Sequence, residues 1–540
     1  MTDPVSKKPP PEGDHEPAPK PKRYWWRFLL ASFVIVAACA GATAASGLLY
    51  IGSIADALSH HSAYKHKLDR YLSEVEGGAP ENILILGSDK RANIPGDPGR
   101  SDTTMLLRLD PERNAIAVMS IPRDLKVEIP GFGTEKFNAA YTDGGPKLTL
   151  RVVKELTGLQ INHVVNVDFL GFVRAVDAID CVYVDVDRRY YHSNVGLPAS
   201  EQYSEIDVQP GYQLLCGKRA LEYVRYRHTD TDLVRSARQQ DFISAARQRV
   251  PISKLAFGQE SLINIFTKYT TSDISDAQTM IQVLELFVES RNAAIKEVHF
   301  PATLGPSYVY ASEGAIHGAV NKFLGIEASS GPRNSLEQDA GGGSKSKNKK
   351  GAKSKPKQEM PHLAKPKPPG SDGLVPAGEA GKLEAKTVAR KVGAGFPVFY
   401  PTRLPSEARY VESSIELHIQ DPRVYHLKDT DGNRHGAYRM VAEFGPEFET
   451  HYFGLQGIQG WSDPPILDNP SLTKTIHGRE YEIFVDGDRI QTIAWHRGNN
   501  TYWVSNDLLN TLTNDQMVGM ARSANVVMPK QKPKRGKKAR

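Results

Sequence analysis

The chain has 540 residues, 40% of them hydrophobic and 24% charged, with a formal net charge of +6. That length exceeds what one hydrophobic core supports, and the composition is that of globular protein, not of a fibrous or wholly disordered chain. The positive excess sits in the N-terminal segment, a Lys-rich middle stretch and the last dozen residues. The remainder is acidic, which excludes a nucleic-acid binder, whose folded face would be basic.

In chain order, residues 1–27 are Pro- and charge-rich and predict a disordered cytoplasmic tail. Residues 28–51, "FLLASFVIVAACAGATAASGLLYI", are uncharged and long enough to cross a bilayer as a helix. Lys20, Lys22, Arg23 and Arg27 precede them with two tryptophans, so the positive-inside rule puts the N-terminus in the cytoplasm and everything beyond outside the cell membrane. The run exceeds the apolar core of a cleaved signal peptide and follows a long polar leader, which favours an uncleaved, single-pass signal-anchor. Residues 52–79 read as a helical stalk. Between 80 and 325, apolar strands at 82–87, 103–110, 115–121, 163–168 and 181–187 alternate with amphipathic helices at 148–158 and 169–179, and helices dominate from 217. That alternation predicts a layered α/β domain. Residues 326–389 are Lys, Pro and Gly without apolar periodicity and predict a disordered linker. Residues 390–527 predict a small α+β domain with hairpins at "DTDGNR" and "DGDR", closed by a helix at "NDQMVGMARSA", and 528–540 are a basic tail.

Of three cysteines, Cys39 lies in the expected span. Cys181 and Cys216 fall outside it near element ends, as a disulfide or as two small buried residues.

Three constellations carry chemistry. In "GSDKR…GRSDTTM", Asp89 ends one strand and Asp102 begins the next, so a returning loop would bring both carboxylates to one end of the sheet. That arrangement suits Mg²⁺, and equally the ordinary use of Asp in turns. In "SIPRDLKVEIPG" and "EKFNAAYTDGGP", Arg123, Asp124, Lys136 and Asn138 stand at loop mouths, where each taken singly could be a solvated polar group. The third stretch, "YVRYRHTDTDLVRSARQQ", holds four arginines and no lysine. Arg225 and Arg227 would point the same way in an extended segment. Arg235, Arg238 and Gln239 share a helix face that Asp232 could cap. Planar guanidiniums grip phosphate oxygens in pairs, and stacked arginines make a poor salt-bridge ladder, so anion binding is the favoured reading. A carboxylate pair for Mg²⁺ with an arginine cluster, outside the membrane, points to a lipid-linked pyrophosphate.

These residues, from "NILILGSDKR" through "RSDTTMLLRLDPERNAIAVMSIPRDLKVEIPG" and "KFNAAYTDGG" to "LEYVRYRHTDTDLVRSARQQ", closely resemble the LytR-CpsA-Psr family across about 80–250. The resemblance implies a three-layer α/β/α sandwich with an apolar tunnel for a polyprenyl chain. It implies a phosphotransferase that moves a glycopolymer from a polyprenyl-pyrophosphate carrier in the membrane lipid onto peptidoglycan. Mg²⁺ would be held by Asp89 and Asp102, and phosphates gripped by Arg123, Arg225, Arg227 and Arg235, with Gln239 and Lys136 beside them. Asp232 would be the general base, and Arg238 a structural residue paired with a carboxylate. The same residues would serve a pyrophosphatase using water as acceptor, and a non-enzymatic lipid or wall-polymer binder is the rival from another class. Two departures limit the transfer: Lys126 and Val127 follow "IPRD" where some members carry a second arginine, and the C-terminal region lacks the family's frequent accessory pattern. Its Tyr and Trp content serves either sugar stacking or a core.

Overall fold

Large apolar side chains at every second position build the central sheet. In a computed structural model, which describes residues 68–333 and 372–529, β1 (Glu81–Ser88) puts Leu84 and Leu86 on one face and Ile83 and Ile85 on the other. Not described inside that range are short stretches, chiefly 90–98, 250–269, most of 275–294 and 412–421. β2 (Ser101–Asp110) and β3 (Ala115–Ser120) continue the alternation, with Leu106, Ala117 and Met119 facing one way and Met105, Leu109, Ile116 and Val118 the other. The first face is covered by α1 (Ala139–Thr157) and by α5 (Glu313–Gly325). Gly158, at φ 68°, ends α1 in the left-handed turn that glycine adopts most cheaply.

The sheet is mixed. β1 runs antiparallel to β2 and parallel to β6 (His163–Asp168). Two short edge strands, β9 (Thr270–Ser272) against β6 and β10 (Ile295–Glu297) against β3, complete six strands, and neither edge was expected from the sequence. A hairpin of β4 (Lys126–Ile129) and β5 (Gly133–Lys136) follows β3. A smaller core lies beside the sheet, where β7 (Val182–Val186) and β8 (Gly211–Leu215) pack with α2 (Phe169–Ala178), α3 (Gly217–Arg225) and α4 (Asp232–Arg249). Asp168 caps α2 through the Gly171 N–H. Cys181 and Cys216, just ahead of β7 and α3, form a disulfide. The mixed α/β class is thus what the alternation of elements predicted.

At the β1 end remote from the Asp89 loop, His163 sits between Asp273 (2.8 Å) and Glu81 (3.4 Å). Burial alone would lower its pKa, but the two carboxylates more than offset that and hold it at about 9. A folded pKa raised above 6.5 contributes stability in full below pH 6.5 and loses it as pH rises through 9. Unfolding free energies of wild type and His163→Gln from urea titrations should therefore differ most near pH 6, by on the order of 3 kcal/mol, and converge near pH 10. A difference that does not change with pH would remove the titrating histidine from the account.

The expected span 28–51 and most of the stalk lie outside the described residues, among which no helix is long and apolar enough to cross a membrane. The stalk's last stretch is not free-standing, because Leu68 is fully buried in the main core. The linker also needs correction at both ends. Ile326, Ser329 and Arg333 are buried, and order resumes by Asp372, with a helix, α6 (Ala380–Lys391), burying Ala385, Val388 and Ala389. The 3–4 spacing of those residues was present in a Lys/Glu/Ala-rich stretch read by composition alone.

The C-terminal domain is mostly strands. Its eight-stranded sheet comprises β11 (Arg409–Tyr410), β12 (Arg423–Lys428), β13 (Arg434–Phe444), β14 (His451–Ile458), β15 (Leu472–Ile476), β16 (Arg479–Asp486), β17 (Arg489–Arg497) and β18 (Asn500–Ser505). The hairpins turn where Asp-Gly sequences stand, and α7 (Asn514–Ser523) opens with a capping box of Thr513 and Gln516. Trp461, Trp495 and Trp503 are each at most 5% exposed, so these rings are core and not a sugar platform.

The described residues fall in one compact unit, and the two folded parts meet through built contacts. Tyr183 and Tyr212 of the α/β domain stack on each other and pack against Trp461 and Trp503. Asp185 accepts from Trp503 Nε1 (3.0 Å) and pairs with Arg439 (3.2 Å). Gly211, at φ 102°, lies so close to the Tyr425 hydroxyl that any side chain there would collide with it. Arg333 reaches Asp241 of α4 (2.8 Å), Glu297 of β10 (2.8 Å) and Asp486 of β16 (2.9 Å).

Candidate functional site

The β1–β2 pairing does what the two aspartates required. Ser88 opposes Ser101, so Asp89 and Asp102 stand at one end of the sheet. Asp89 is fixed by backbone exchange with Arg100: its N–H donates to the Arg100 carbonyl (3.0 Å) and its Oδ1 accepts from the Arg100 N–H. Asp102 Oδ1 accepts from Arg123 Nη1 at 2.6 Å. Each carboxylate thus spends one oxygen, and the second oxygen of each has no partner among the described residues. That donor set fits a Mg²⁺ that takes one oxygen from each and completes its shell with water and phosphate.

Arg123 is the hub. Besides Asp102, its Nε lies 3.5 Å from Asp124 and 3.9 Å from Asp232, and its backbone N–H donates to Asp232 Oδ2 (3.1 Å). The loop that carries it is held by the Asn138 N–H on the Arg123 carbonyl (3.0 Å) and the Phe137 N–H on the Leu125 carbonyl (2.8 Å). Lys136 pairs with Asp124 at 3.2 Å, so the β4–β5 hairpin delivers a second cation to the same carboxylate group.

Arg225 does not lie in an extended segment. It is the last residue of α3, because a helix propagates through "KRALEYVR" until Tyr226 turns extended. Its guanidinium stacks 3.7 Å over the Phe169 ring, and among the described residues no carboxylate lies within ion-pair distance of it. Burial pulls it below its ordinary pKa, and nearby Asp102 and Asp89 partly offset that. It is therefore a partly dehydrated fork beside the carboxylate pair. Arg227 lies outside the described residues. Arg235 is 3% exposed and pairs with Asp232. The α4 cap is Thr231, whose Oγ1 accepts from the Val234 N–H (3.3 Å), and not Asp232. Asp232 has both oxygens engaged, one by Arg123 and one by Arg235, and so braces the two arginines. To accept a proton from a hydroxyl it would have to give up one of these bonds.

The shared helix face of Arg235, Arg238 and Gln239 does not make one cluster. Arg238 is fully buried, donates to the carbonyls of Tyr223 (2.8 Å) and Tyr226 (2.9 Å), and pairs with Asp230, the structural role expected of it. Gln239 Nε2 is spent on the Val224 carbonyl (3.2 Å). Sequence reasoning gave no role to Phe169, which follows a strand-end Asp with no signal of its own, or to Arg188 and Asp230, which pair with each other.

Four carboxylates, Asp89, Asp102, Asp124 and Asp232, thus face four cations, Arg123, Lys136, Arg225 and Arg235. These are parts from which an α/β domain can build a cleft for a diphosphate and a divalent cation. The chain belongs to the LytR_cpsA_psr family, whose model matches residues 48–322. It is 36% identical over 189 residues to the probable cell wall biosynthesis protein LcpB of Corynebacterium glutamicum, covering 32% of this chain and 42% of that one. It is 33% identical over 219 residues to the polyisoprenyl-teichoic acid–peptidoglycan teichoic acid transferase TagU of Oceanobacillus iheyensis, covering 39% and 64%. It is 29% identical over 219 residues to TagT of Bacillus subtilis, which bears the same transferase name, covering 40% and 66%. The chain thus spans less than two thirds of the length of these curated relatives. Among solved structures, B. subtilis TagV aligns at 24% identity and a TM-score of 0.39, over 46% of this chain and 98% of that one. TagT with bound octaprenyl pyrophosphate lipid aligns at 23% and 0.34, over 47% and 92%.

Proposed function

We propose that this protein is a membrane-anchored, extracytoplasmic phosphotransferase that moves a glycopolymer from a polyprenyl-pyrophosphate carrier to a peptidoglycan hydroxyl. The observation that carries this reading is the Arg225 guanidinium, free of ion pairs among the described residues and set beside the Asp89–Asp102 pair and the Arg123 hub. The names of TagU and TagT, both transferases to peptidoglycan, support the acceptor class. Residues 28–51 are the proposed anchor, with the N-terminus in the cytoplasm.

Asp89 and Asp102 would hold Mg²⁺, which when bound neutralises charge on the bridging phosphates. The other parts act by position. Arg225 presents a planar fork to phosphate oxygens in a partly dry setting, where such a bond is worth more than in water. Arg123 exchanges a carboxylate for a phosphate oxygen without moving, because its loop is fixed at Asn138 and Phe137. Arg235 and Lys136 keep Asp232 and Asp124 neutralised as the substrate arrives. The acceptor oxygen forms a bond to the sugar-proximal phosphorus, the bridging P–O bond breaks and polyprenyl phosphate departs, while the hydroxyl proton passes to Asp232, one of whose oxygens gives up its arginine bond to take it. No nucleic acid is involved.

The test uses full-length protein in detergent with a polyprenyl-pyrophosphate glycan, with Mg²⁺ or EDTA and with or without peptidoglycan. Release of polyprenyl monophosphate should require Mg²⁺ and fall about 100- to 1,000-fold in Asp102→Ala and Arg225→Ala. Product on the wall polymer identifies the transferase. Product in water alone identifies a pyrophosphatase, and no release with retained lipid identifies a binding protein.

A further inference from the structure

Arg225 closes α3 and Asp232 opens α4, so whatever fixes the connection between these helices fixes both groups. Two arginines grip it, Arg238 fully buried and Arg188 partly buried. Arg238, from inside α4, holds the Tyr223 and Tyr226 carbonyls at the end of α3 and one oxygen of Asp230. Arg188, just after β7, pairs with the other Asp230 oxygen and donates to Thr229 Oγ1 (2.7 Å). Both arginines lie against the Tyr190 ring, Arg238 at 4.5 Å and Arg188 at 4.7 Å. Arg188 also faces Tyr226 at 5.4 Å, and Tyr226 packs edge-on against Tyr190 at 4.9 Å.

The box around Arg188 is not complete within the α/β domain. Its remaining aromatic face is Tyr452, on β14 of the C-terminal domain, with the guanidinium carbon 4.9 Å from the ring centroid. An Arg–Asp pair gains strength as water is removed, and a ring face attracts a guanidinium while excluding water. The C-terminal domain therefore closes a charge network whose other end fixes Arg225 and Asp232.

We infer that Arg188 is a positioning residue for the phosphate site and that Tyr452 makes the C-terminal domain part of the catalytic unit, by clamping Arg188 onto Asp230 between α3 and α4. This rests on the function proposed above and deepens it, because it assigns the second domain a role in turnover. The ring and not the hydroxyl carries the effect, and it falls on kcat, since the groups moved are Arg225, which meets the reacting phosphates, and Asp232, which braces Arg123.

The experiment measures polyprenyl monophosphate release by full-length Tyr452→Ala, Tyr452→Leu, Tyr452→Phe, Arg188→Met and the double variant Arg188→Met/Tyr452→Ala, with melting temperatures taken in parallel. Tyr452→Phe should match wild type. Tyr452→Ala and Tyr452→Leu should each lose about tenfold in kcat with KM little changed, the order expected of one desolvated cation–π contact. Arg188→Met should lose more, and adding Tyr452→Ala to it should cost nothing further, because the ring acts through the arginine. Full activity in Tyr452→Leu would mean the ring is mere packing and would overturn the inference, as would additive losses in the double variant. Inactive wild-type protein, or activity indifferent to Arg225→Ala, would instead overturn the function on which the inference rests.

Discussion

Arg123→Ala should lower release of polyprenyl phosphate about a thousandfold, and Arg123→Lys should restore stability without restoring activity. The reason is the number of groups one guanidinium serves. Its Nη1 binds Asp102, while its Nε side faces Asp124 and Asp232. Truncation leaves three carboxylates crowded at the end of the sheet and removes a donor aimed at the phosphates, a change that costs 10²–10³ in rate where such donors have been removed singly. It should also destabilise the fold by about 3 kcal/mol, because partly buried carboxylates lose their counter-charge. An ammonium restores that charge but is a point donor and cannot span three carboxylates. Urea unfolding and product release on the three proteins separate the effects. Appreciable turnover by Arg123→Ala would move the phosphate grip elsewhere.

Reduction of the Cys181–Cys216 disulfide should lower the melting temperature by roughly 5 °C. The bridge closes a 35-residue stretch, and the loss of loop-closure entropy in the unfolded chain corresponds to roughly 4 kcal/mol. The residues it joins precede β7 and α3, the two elements whose far ends lead to Arg188 and to Arg225. Activity should therefore fall on reduction before the protein melts. Scanning calorimetry with and without reductant, beside Cys181→Ser/Cys216→Ser, measures both. A melting temperature that does not respond to reductant would show the bridge to be energetically idle.

The main sheet was legible because its strands carry two-residue alternation and its first helix a three-to-four spacing, signals that survive without tertiary context. Asp89 and Asp102 could be placed together because antiparallel pairing follows from a short return. The edge strands Thr270–Ser272 and Ile295–Glu297 were not legible, since three residues hold too little pattern to outweigh their neighbours. The arginine run was read correctly as unusual and only partly in detail. Spacing reports which residues share a face, but not whether that face meets a carbonyl, as Arg238 and Gln239 do, or the carboxylate group around Arg123. Arg188 was invisible because its partners lie 42 and 264 positions away, at Asp230 and Tyr452. The linker's borders were blurred by lysine content, which says nothing about whether Arg333 or α6 is buried.

The clasp at Arg333 bears on where this protein can be cut. The family match ends at residue 322, an obvious place to stop an expression vector. A chain ended there would lack the guanidinium shared by Asp241 and Glu297, and Asp241 rides on the helix that carries Arg235. It would also uncover Tyr183 and Tyr212, fresh apolar surface that would make such a fragment sticky in solution. The smallest piece that keeps its own charges matched is therefore longer than the piece the family shares, and it includes the C-terminal sheet.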